Sequence, residues 1–236
     1  MEHIDKVIGT FEKTEEKLTS DLPHVSPTVI RRLPRYHRYL RTLIESGRGR
    51  ISSSELSNLM NVTASQIRQD LNCFGGFGQQ GYGYNVKYLY SKISELLGVN
   101  EDYRAVIIGA GNLGRALAGT PMFERRGVTR LAMFDIKAEL VGREICGLPV
   151  YHIDDLPSFC AENRVDFAVL AIPGPEASVI APCLSGLGIR GVWNFTNARL
   201  KRANPDLVVE NIHLSDSLMN LCFHLKKADD KKRKKS

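Results

Sequence analysis

The spacing of apolar residues changes along the chain, from a helical period in the N-terminal part to short continuous runs in the C-terminal part. Apolar residues from Leu33 to Ile44 follow one another at intervals of three and four. This spacing predicts a helix that starts at Pro34 and ends before Gly47. Residues 1–26 have no convincing apolar face, and we expect them to form a helical or flexible extension.

The next stretch contains two short helical patterns separated by a tight turn. Ile51–Leu59 carries serine residues suited to capping a helix, and Thr63 is a good N-cap for a second helix. Two short helices joined in this way are the signature of a helix-turn-helix motif. Ile67, Leu71 and Phe74 would share the apolar face of the second helix.

The opposite face of the second predicted helix is polar, and its side chains are suited to base edges. Arginine pairs with guanine O6 and N7, and glutamine or asparagine pairs with adenine N6 and N7. An ordinary solvated face is the alternative explanation. The candidate DNA-contacting residues of this region are Ser52, Ser65, Gln66, Arg68, Gln69 and Asn72.

A glycine-rich stretch with interleaved aromatic residues follows. Residues 75–84 contain five glycines, which disfavour a helix and favour a tight hairpin whose backbone approaches another molecule closely. Directly after a recognition helix, this hairpin is predicted to be the wing of a winged helix; the alternative is a flexible linker. A helix over Val86–Leu97 and a linker over Gly98–Asp102 complete the module, which spans residues 27–98. The candidate wing contacts are Gly81, Tyr82, Gly83 and Tyr84.

Charge separates this module from the rest of the chain. The whole chain has a net charge of +6, and residues 27–98 alone hold ten Lys and Arg against four Asp and Glu. Since neutralisation of phosphates drives non-specific DNA affinity, this segment is where a polyanion would bind. The tail 227–236 is also basic and is predicted to be a disordered, solubilising end.

Composition argues against several classes of protein. No apolar run approaches the roughly 18 residues that a membrane helix needs, and the acidic N-terminus does not resemble a signal peptide. The five cysteines are scattered without a C-x-x-C pair. They indicate reduced thiols in a cytoplasmic protein and argue against a zinc site or a disulfide framework.

From residue 103 to 211, strand-like runs alternate with helical patterns. This alternation predicts an α/β domain with a Rossmann-like, doubly wound parallel sheet. A last helix over 212–226 is more apolar than one small domain needs, so it would close the core or pack against a second subunit. The predicted elements include strands over 104–108, 131–135, Leu148–His152, 166–172 and 191–195, and helices over Ile153–Glu162 and Glu176–Leu187.

The first of these strands leads directly into a G-x-G-x-x-G motif. Its first glycine permits a tight turn, the second removes a Cβ that would block a pyrophosphate, and the third lets the helix pack on the strand. The pyrophosphate would lie at the helix N-terminus, where free N–H groups favour anions. The motif predicts a dinucleotide site and consists of Gly109, Ala110, Gly111, Asn112, Leu113 and Gly114.

Asp135 ends the second strand of this domain. Its carboxylate would accept hydrogen bonds from the adenosine ribose and repel a 2′-phosphate, which favours NAD(H) over NADP(H). The alternative is that Asp135 only caps the next helix. Ile172, Pro173 and Phe195 follow other strands and are predicted to surround the nicotinamide, because an apolar setting favours the neutral ring of NADH.

Two other classes of function are compatible with this fold. An NAD-dependent oxidoreductase with an accessory N-terminal domain would need an acid or base near the nicotinamide. The candidates His152 and His213 have no evident carboxylate partner in the sequence. The other class is a regulator with the same fold that binds coenzyme A or another nucleotide in place of NAD(H). No catalytic residue and no metal site is predicted.

A known family shares several runs of this sequence in the same order, namely RRLPRYHRYL, ISSSELSNLMNVTASQIRQDL, FGGFGQQGYGY, GAGNLGRAL, AIP and VENI. Over residues 27–226 the chain closely resembles the Rex family of redox-sensing transcriptional repressors. The resemblance implies a homodimer that exchanges its C-terminal helix, binds an inverted-repeat operator in double-stranded DNA while NAD⁺ dominates, and releases it when NADH binds. It assigns Gln66, Arg68 and Gln69 to the recognition helix. It assigns Gly81, Tyr82 and Gly83 to the wing.

The chain departs from the family pattern at positions that matter for switching. The family usually carries tyrosine where this chain has Thr120, and aspartate where it has His213. In the family these positions, with the arginine that matches Arg38, form a contact network that helps to couple cofactor state to wing orientation. Thr120 and His213 cannot form it in the same way. The wing also carries Gln79 and Gln80 where family members are commonly basic, which should weaken local attraction to phosphates.

Overall fold

The computed structural model describes residues 26–72, 78–79, 82–99, 101–198, 200 and 207–233. Most of the predicted N-terminal extension, the predicted apolar-face residue Phe74 and the predicted wing contact Gly81 therefore lie outside the described residues. The chain divides into two compact units, Met1–Asn100 and Glu101–Ser236. No helix of the described ranges is both long enough and apolar enough to cross a membrane.

The first unit combines helices with a small antiparallel sheet. Strand β3 pairs with both β1 and β2, so the sheet order is β1-β3-β2. A helix-turn-helix pair, α3 and α4, is followed by a hairpin, and this is the arrangement of a winged helix. The elements are α1 (Pro27–Ile30), α2 (Leu33–Glu45), β1 (Arg50–Ile51), α3 (Ser53–Met60), α4 (Ala64–Asn72), β2 (Gly78–Gln79), β3 (Gly83–Asn85) and α5 (Val86–Leu96).

The apolar faces predicted for this unit are confirmed. Ile67 and Leu71 of α4 are fully buried, and the turn before this helix is closed by Asn61 with a left-handed backbone (φ +52°). The sequence does not predict α1 or β1, because elements of two to four residues are too short to show a period. The core of the unit includes Leu33, Tyr36, Leu40, Leu43, Ile51, Leu56, Met60, Val86, Leu89 and Ile93.

The second unit is built on a seven-stranded sheet of order β10-β9-β8-β4-β5-β7-β6. All neighbouring strands are parallel except β6, which is antiparallel to β7. This confirms the predicted parallel, doubly wound α/β architecture. The elements are β4 (Tyr103–Ile108), α6 (Asn112–Ala118), β5 (Val128–Asp135), β6 (Glu144–Ile145), β7 (Leu148–His152), α7 (Leu156–Glu162), β8 (Phe167–Leu170), α8 (Gly174–Leu184), β9 (Gly191–Asn194), β10 (Val208–Asn211) and α9 (Leu214–Arg233).

Each face of this sheet carries its own apolar core. Successive side chains of a strand point to opposite faces, and accordingly Val106 and Ile108 belong to one cluster while Ile107 belongs to the other. Strands β4 and β5 are parallel neighbours, so their C-terminal ends lie side by side. The fold therefore brings the glycine motif and Asp135 to the same edge of the sheet.

Several helix boundaries differ from the predicted ones. Helices α7 and α8 each carry a proline in the first turn, where the missing N–H costs little, and this sets their starts at Leu156 and Gly174. Helix α9 continues to Arg233, so residues 227–233 are helical and not the disordered tail that we expected. Lysine and arginine are good helix formers and are favoured near a helix C-terminus.

No side chain of α9 is buried along Leu214–Arg233. Its large apolar side chains are more than half exposed, including those of Leu218 and Phe223. A helix this apolar, without cover from its own unit, does not close the core, which was one of the two predicted roles.

Candidate functional site

The glycine motif forms the turn between β4 and α6. Gly109 has φ +106°, and a Cβ at this position would lie 2.5 Å from the carbonyl oxygen of Ala171. A Cβ on Gly114 would lie 1.8 Å from the carbonyl oxygen of Gly109. Both glycines are therefore required by the fold itself. A Cβ on Gly111 would meet no atom within 4 Å, so this position borders open space.

The remaining residues of the motif hold the loop in place. Ala110 is buried, and its carbonyl oxygen accepts a hydrogen bond from Nε of Arg115 at 2.8 Å. Asn112 and Leu113 form the first turn of α6, and Asn112 is exposed. The first N–H groups of a helix lack intrahelical partners. Backbone donors are thus available where the open space begins.

Asp135 connects the glycine loop to β5. Its Oδ2 accepts the N–H of Ala110 at 2.7 Å, and its Oδ1 accepts the N–H of Lys137 at 3.0 Å. Residues 136–143 form bends, turns and irregular backbone and not a helix, so the alternative that Asp135 caps a following helix is not supported. Each carboxylate oxygen has a second lone pair, which can accept a hydrogen bond from a ligand hydroxyl.

A cleft of about 310 Å³ opens beside the loop at the C-terminal ends of β4, β5 and β8. The structure brings Gly109, Gly111, Asp135, Ile172 and Pro173 together in its wall, with apolar neighbours that include Ile136, Ile153 and Ile180. Phe195 is not among the lining residues described. Its ring packs against Trp193, with 4.7 Å between the ring centroids.

The two histidines considered as acids or bases differ in their surroundings. Nδ1 of His152 accepts the N–H of Asp154 at 3.3 Å and lies 3.2 Å from Oδ2 of the same residue, a carboxylate neighbour that the sequence analysis did not identify. His152 thereby caps the short 3₁₀ turn Ile153–Asp155. His213 is exposed just before α9. Among the described residues, no group of three or more His, Cys, Asp or Glu could hold a metal ion.

Helix α4, which we expected to be the recognition helix, begins after Thr63, whose Oγ1 accepts the N–H of Gln66 at 3.1 Å, as expected for an N-cap. The guanidinium of Arg68 donates to Oγ of Ser53 at 3.1 Å and so connects α4 to the start of α3. The predicted polar face is present, and its exposed residues are Ser65, Arg68, Gln69 and Asn72.

Gln66 is only half-exposed because its amide is held by Asp70, one turn later in the same helix. Nε2 of Gln66 donates to Oδ1 of Asp70 at 2.8 Å. Asp70 is fully buried and receives both Nε and Nη2 of Arg32, at 2.7 and 2.6 Å, and the hydroxyl of Tyr36 at 2.9 Å. The sequence analysis missed Asp70, although an acidic residue beside Ile67 and Leu71 on the apolar face was a signal.

The electrostatics of this cluster keep Asp70 ionised. Burial alone would raise the pKa of Asp70, but the hydrogen bonds from Arg32, Gln66 and Tyr36 outweigh it and hold the pKa below its ordinary value. Burial and the bond to Asp70 raise the pKa of Tyr36 far above its ordinary value, so its hydroxyl remains a donor. A buried carboxylate is tolerated when it is paired in this way.

The wing contains one exposed and one buried tyrosine. Tyr82 is 70% exposed and lies beside Arg50, whose Nη1 donates to the Tyr82 carbonyl oxygen at 3.3 Å and whose guanidinium lies 5.8 Å from the ring centroid. Tyr84 is 6% exposed and packs in the core, so its side chain is not available to DNA. Gly83 has φ +70° and lies against the backbone of Ile51. Arg50 is a basic wing neighbour that the sequence analysis missed.

Ser52 has a local structural role. Its Oγ accepts the N–H of Glu55 at 3.1 Å, while its own N–H donates to Oε2 of Glu55 at 2.9 Å. This reciprocal capping box fixes the start of α3. Ser52 is half-exposed, so its remaining surface can still face a phosphate.

The three residues assigned to switching lie in different units. Arg38 is exposed on α2 in the first unit, with its guanidinium 5.5 Å from the ring centroid of Tyr39. In the second unit, Thr120 follows the C-terminal end of α6 and donates its N–H to the carbonyl oxygen of Leu117 at 3.2 Å. His213 precedes α9, and its carbonyl oxygen accepts the N–H of Asp216.

Comparison with known proteins matches two family models to the two units. Residues 24–72 match a model described as "Putative DNA-binding protein N-terminus", and residues 100–198 match a model described as "CoA binding domain". The chain is 50% identical over 201 residues to the redox-sensing transcriptional repressor Rex of Thermoanaerobacter sp. (strain X514), covering 85% of this chain and 89% of that protein. Rex of Clostridium botulinum (strain Eklund 17B / Type B) is 48% identical over 203 residues, covering 86% and 96%.

The chain belongs to the Rex family of redox-sensing transcriptional repressors. Among solved structures, that of RSP, a Rex-family repressor, is similar with a TM-score of 0.83 and 45% identity, covering 90% of this chain and 99% of RSP. A structure of RSP with β-NAD⁺ and operator DNA has a TM-score of 0.81 and 48% identity, covering 89% and 97%. A structure of RSP with β-NADH has a TM-score of 0.81 and 45% identity, covering 89% and 98%.

Proposed function

We propose that this chain is a dimeric transcriptional repressor that binds an inverted-repeat operator, senses the NADH:NAD⁺ ratio and releases the DNA when NADH binds. The observation that carries the proposal is the similarity over both units to RSP, which has been seen with β-NAD⁺ and operator DNA and with β-NADH. One unit supplies the nucleotide cleft and the other supplies the recognition helix. We place its action in the cytoplasm, where bacterial-type operators and the NAD(H) pool are found together.

NAD(H) fits the cleft by its chemistry. The open space at Gly111 would receive the pyrophosphate, and the N–H groups at the start of α6 would bind it. Asp135 would accept the adenosine ribose hydroxyls, and its charge would disfavour a 2′-phosphate. Ile172 and Pro173 would contact the nicotinamide, and an apolar wall favours the neutral ring of NADH over the charged ring of NAD⁺.

The difference in ligand affinity between the DNA-binding and the released state that the switch requires is modest when two sites share it. Moving a two-state equilibrium from 99:1 to 1:99 needs a differential affinity of ~10⁴, or about 5.5 kcal/mol. A dimer with two sites acting on one concerted change needs only ~10² per site, about 2.7 kcal/mol. Desolvation of a charged ring together with the loss of one favourable contact is of this size.

DNA would be read by the exposed face of α4 and by the wing. In this proposal Gln66, Arg68 and Gln69 reach base edges in the major groove, supported by Ser65 and Asn72, because their side chains offer the donors and acceptors that base edges require. Gly81, Tyr82 and Gly83 would approach the backbone or the minor groove. Arg50 beside Tyr82 would supply the positive charge that Gln79 and Gln80 lack.

Dimer formation would use α9, the helix after β10. Leu214, Leu218, Leu221 and Leu225 lie along one face at intervals of three and four residues, and Met219 and Phe223 lie on the opposite face. A helix that is apolar on two faces is suited to a position between two other surfaces. A second copy of the chain would cover it, which also matches the two-fold symmetry of an inverted-repeat site.

We propose no catalytic activity for this chain. Hydride transfer would need a positioned acid or base, and His152 is used as a cap for the turn that follows β7. Turnover of NADH with a carbonyl substrate would support the oxidoreductase alternative. A coenzyme A ligand is the other alternative, because the second unit matches a family model of that description.

The experiment that tests the function is operator binding measured by fluorescence anisotropy at several NADH:NAD⁺ ratios and constant total nucleotide. We expect the fraction of bound operator to fall as the ratio rises. Binding that ignores the ratio would refute the sensor, whereas absence of any operator binding would refute the repressor.

Ligand identity is tested separately by calorimetric titration with NADH, NAD⁺, NADPH and coenzyme A. We expect NADH to bind most tightly and NADPH to bind at least about tenfold more weakly, since a repelled 2′-phosphate costs more than the 1.4 kcal/mol that a factor of ten represents. Tighter binding of coenzyme A would assign a different ligand to the same cleft.

A further inference from the structure

The amide of Gln66 has a fixed orientation on the surface of the recognition helix. Asp70 is ionised and can only accept hydrogen bonds, so the amide nitrogen of Gln66 must face it, at 2.8 Å. The carbonyl oxygen Oε1 is therefore turned away from the carboxylate. A glutamine on an exposed helix face would ordinarily sample several rotamers and both amide orientations.

Asp70 is itself immobilised by the neighbouring helix. Arg32 contributes two parallel donors to its carboxylate, and Tyr36 contributes a third, and both residues come from the segment around the start of α2. Bidentate arginine–carboxylate pairs have a restricted geometry. The orientation of Gln66 is thus determined by groups in the core of the unit and not by its own exposed neighbours.

We infer that Asp70 is a positioning residue for base readout, which presents Gln66 to the major groove with its carbonyl oxygen outward. This inference rests on the proposed function. An outward oxygen needs a donor on the base, and the exocyclic amine N6 of adenine provides one, with N7 to receive the second amide hydrogen. Gln66 would therefore select an adenine, and guanine, whose major-groove edge has only acceptors at O6 and N7, would be rejected.

Holding Gln66 in place before DNA binds favours base specificity. Ordering a long side chain at an interface costs free energy, and a side chain that is already held in its bound geometry avoids that cost. Loss of Asp70 would free Gln66 to rotate and to offer either its oxygen or its nitrogen. Affinity for the correct base would fall, and the penalty for the wrong base would fall with it.

The test compares operators that differ at single base pairs, using competition binding with the wild-type protein, Gln66→Ala and Asp70→Asn. The wild type should discriminate against an adenine-to-guanine change at one position of each half-site by about tenfold or more. Gln66→Ala should lose discrimination at that position alone. Asp70→Asn should lose it at the same position while keeping discrimination elsewhere, and the double variant should be no worse than Gln66→Ala.

A purely structural role for Asp70 predicts a different result. If Asp70→Asn weakens binding to every operator by the same factor, or keeps the wild-type base preference, the inference is wrong even though the protein is still a repressor. Ile93→Val serves as the control, because it removes a methyl group from the fully buried core of the same unit and should lower the melting temperature without altering base preference.

A second measurement needs no variant and remains decisive if Asp70→Asn does not fold. In the wild-type protein, one side-chain amide proton of Gln66 should exchange slowly with solvent in nuclear magnetic resonance spectra. Exchange as fast as that of a glutamine side chain in an unstructured peptide would overturn the inference. Failure of the wild type to bind any operator would instead be a failure of the proposed function.

Discussion

Gly111 and Gly114 belong to the same motif but have opposite surroundings. A Cβ on Gly114 would collide with the carbonyl oxygen of Gly109, whereas a Cβ on Gly111 would meet nothing. Gly114 is therefore required for folding, whereas Gly111 borders the open space that we propose for the pyrophosphate of the ligand. The two requirements can be separated by the same substitution at each position.

We expect Gly114→Ala to lower the free energy of unfolding by about 1–3 kcal/mol or more, as overpacking does. Gly111→Ala should leave the melting temperature unchanged but weaken NADH binding by at least about tenfold, because its methyl group would occupy the pyrophosphate position. Thermal unfolding and calorimetric titration measure the two effects. A Gly111→Ala variant that binds NADH normally would contradict the assignment of this space to the pyrophosphate.

Buried carboxylates make the stability of each unit depend on pH in the acidic range. Burial would raise the pKa of Asp166, but the backbone N–H of Arg104 and the guanidinium groups of Arg190 and Arg164 lower it below its ordinary value, and Asp70 is lowered in the same way. A carboxylate with a depressed pKa in the folded state stabilises the fold above its unfolded pKa. That stability is lost as pH falls below about 4.

We therefore expect Asp166→Asn to lower the free energy of unfolding at pH 7 by about 1–3 kcal/mol, because buried donors lose a charged acceptor. The difference from the wild type should shrink as the pH approaches 3. Urea unfolding at both pH values measures it, with the exposed Asp154→Asn as a control that should show little change. A difference that is constant across this range would show that ionisation of Asp166 does not contribute.

At the scale of an element, α9 combines exposure with apolar side chains from Leu214 to Leu225. Its leucine face repeats at 214, 218, 221 and 225, which is the spacing of a packed helical seam. Burying one leucine side chain is worth about 1.5–3 kcal/mol. Several such side chains give a strong reason for association with a second copy.

We expect the double variant Leu218→Lys and Leu225→Lys to be monomeric in light scattering after size exclusion, while the wild type is dimeric. Operator binding should be lost in parallel, because two half-sites need two recognition helices. Asn220→Lys adds a charge at a polar position of the same helix and should remain dimeric. A dimeric double variant would place the interface elsewhere.

The elements that the sequence predicts are those with an internal period or a motif. The face of Ile67 and Leu71, the strand Leu148–His152 and the glycine turn follow from local chemistry, and the structure contains them. Strand β10 (Val208–Asn211) does not follow from local chemistry, because its extended backbone depends on pairing with β9. Tyr84 lies inside for a similar reason, since its direction depends on the pairing of the wing strands.

At the candidate sites, the sequence also could not predict contacts between residues that are far apart along the chain. Asp70 and Arg32 are 38 positions apart, and no local pattern shows that they meet. The alternation along β9 and the packing on Trp193 turn Phe195 away from the cleft in which we expected it. The sequence could name the loop and the recognition helix, but not the groups that support them.

At the scale of the whole molecule, the function requires that NADH binding in one unit change DNA binding by the other. Such coupling is reciprocal, so operator DNA must weaken NADH binding by the same factor by which NADH weakens operator binding. The resemblance to the family suggests that tyrosine and aspartate at positions 120 and 213 take part in this coupling. The chain has Thr120 and His213 instead.

We expect the double variant Thr120→Tyr and His213→Asp to increase the factor by which NADH weakens operator binding, by up to about tenfold, which is within the usual range of coupling energies. Each single variant should have a smaller effect, because the new group lacks its partner. Anisotropy measures operator affinity with and without NADH, and calorimetry measures NADH affinity with and without operator. Equal factors in the two directions check that both measurements are at equilibrium. A factor in the double variant that is no larger than that of the wild type would contradict a role of these two positions in the coupling.

The apolar part of helix α9, from Leu214 to Leu225, extends over about 18 Å, which is more than three helical turns. A newly made chain must pair with a second copy before proteases cleave it or it aggregates through this apolar surface. The rate of pairing depends on the concentration of the chain. Gene dosage therefore becomes a second input to the repressor: below a threshold of synthesis, an increase in NADH would have no bound operator to release.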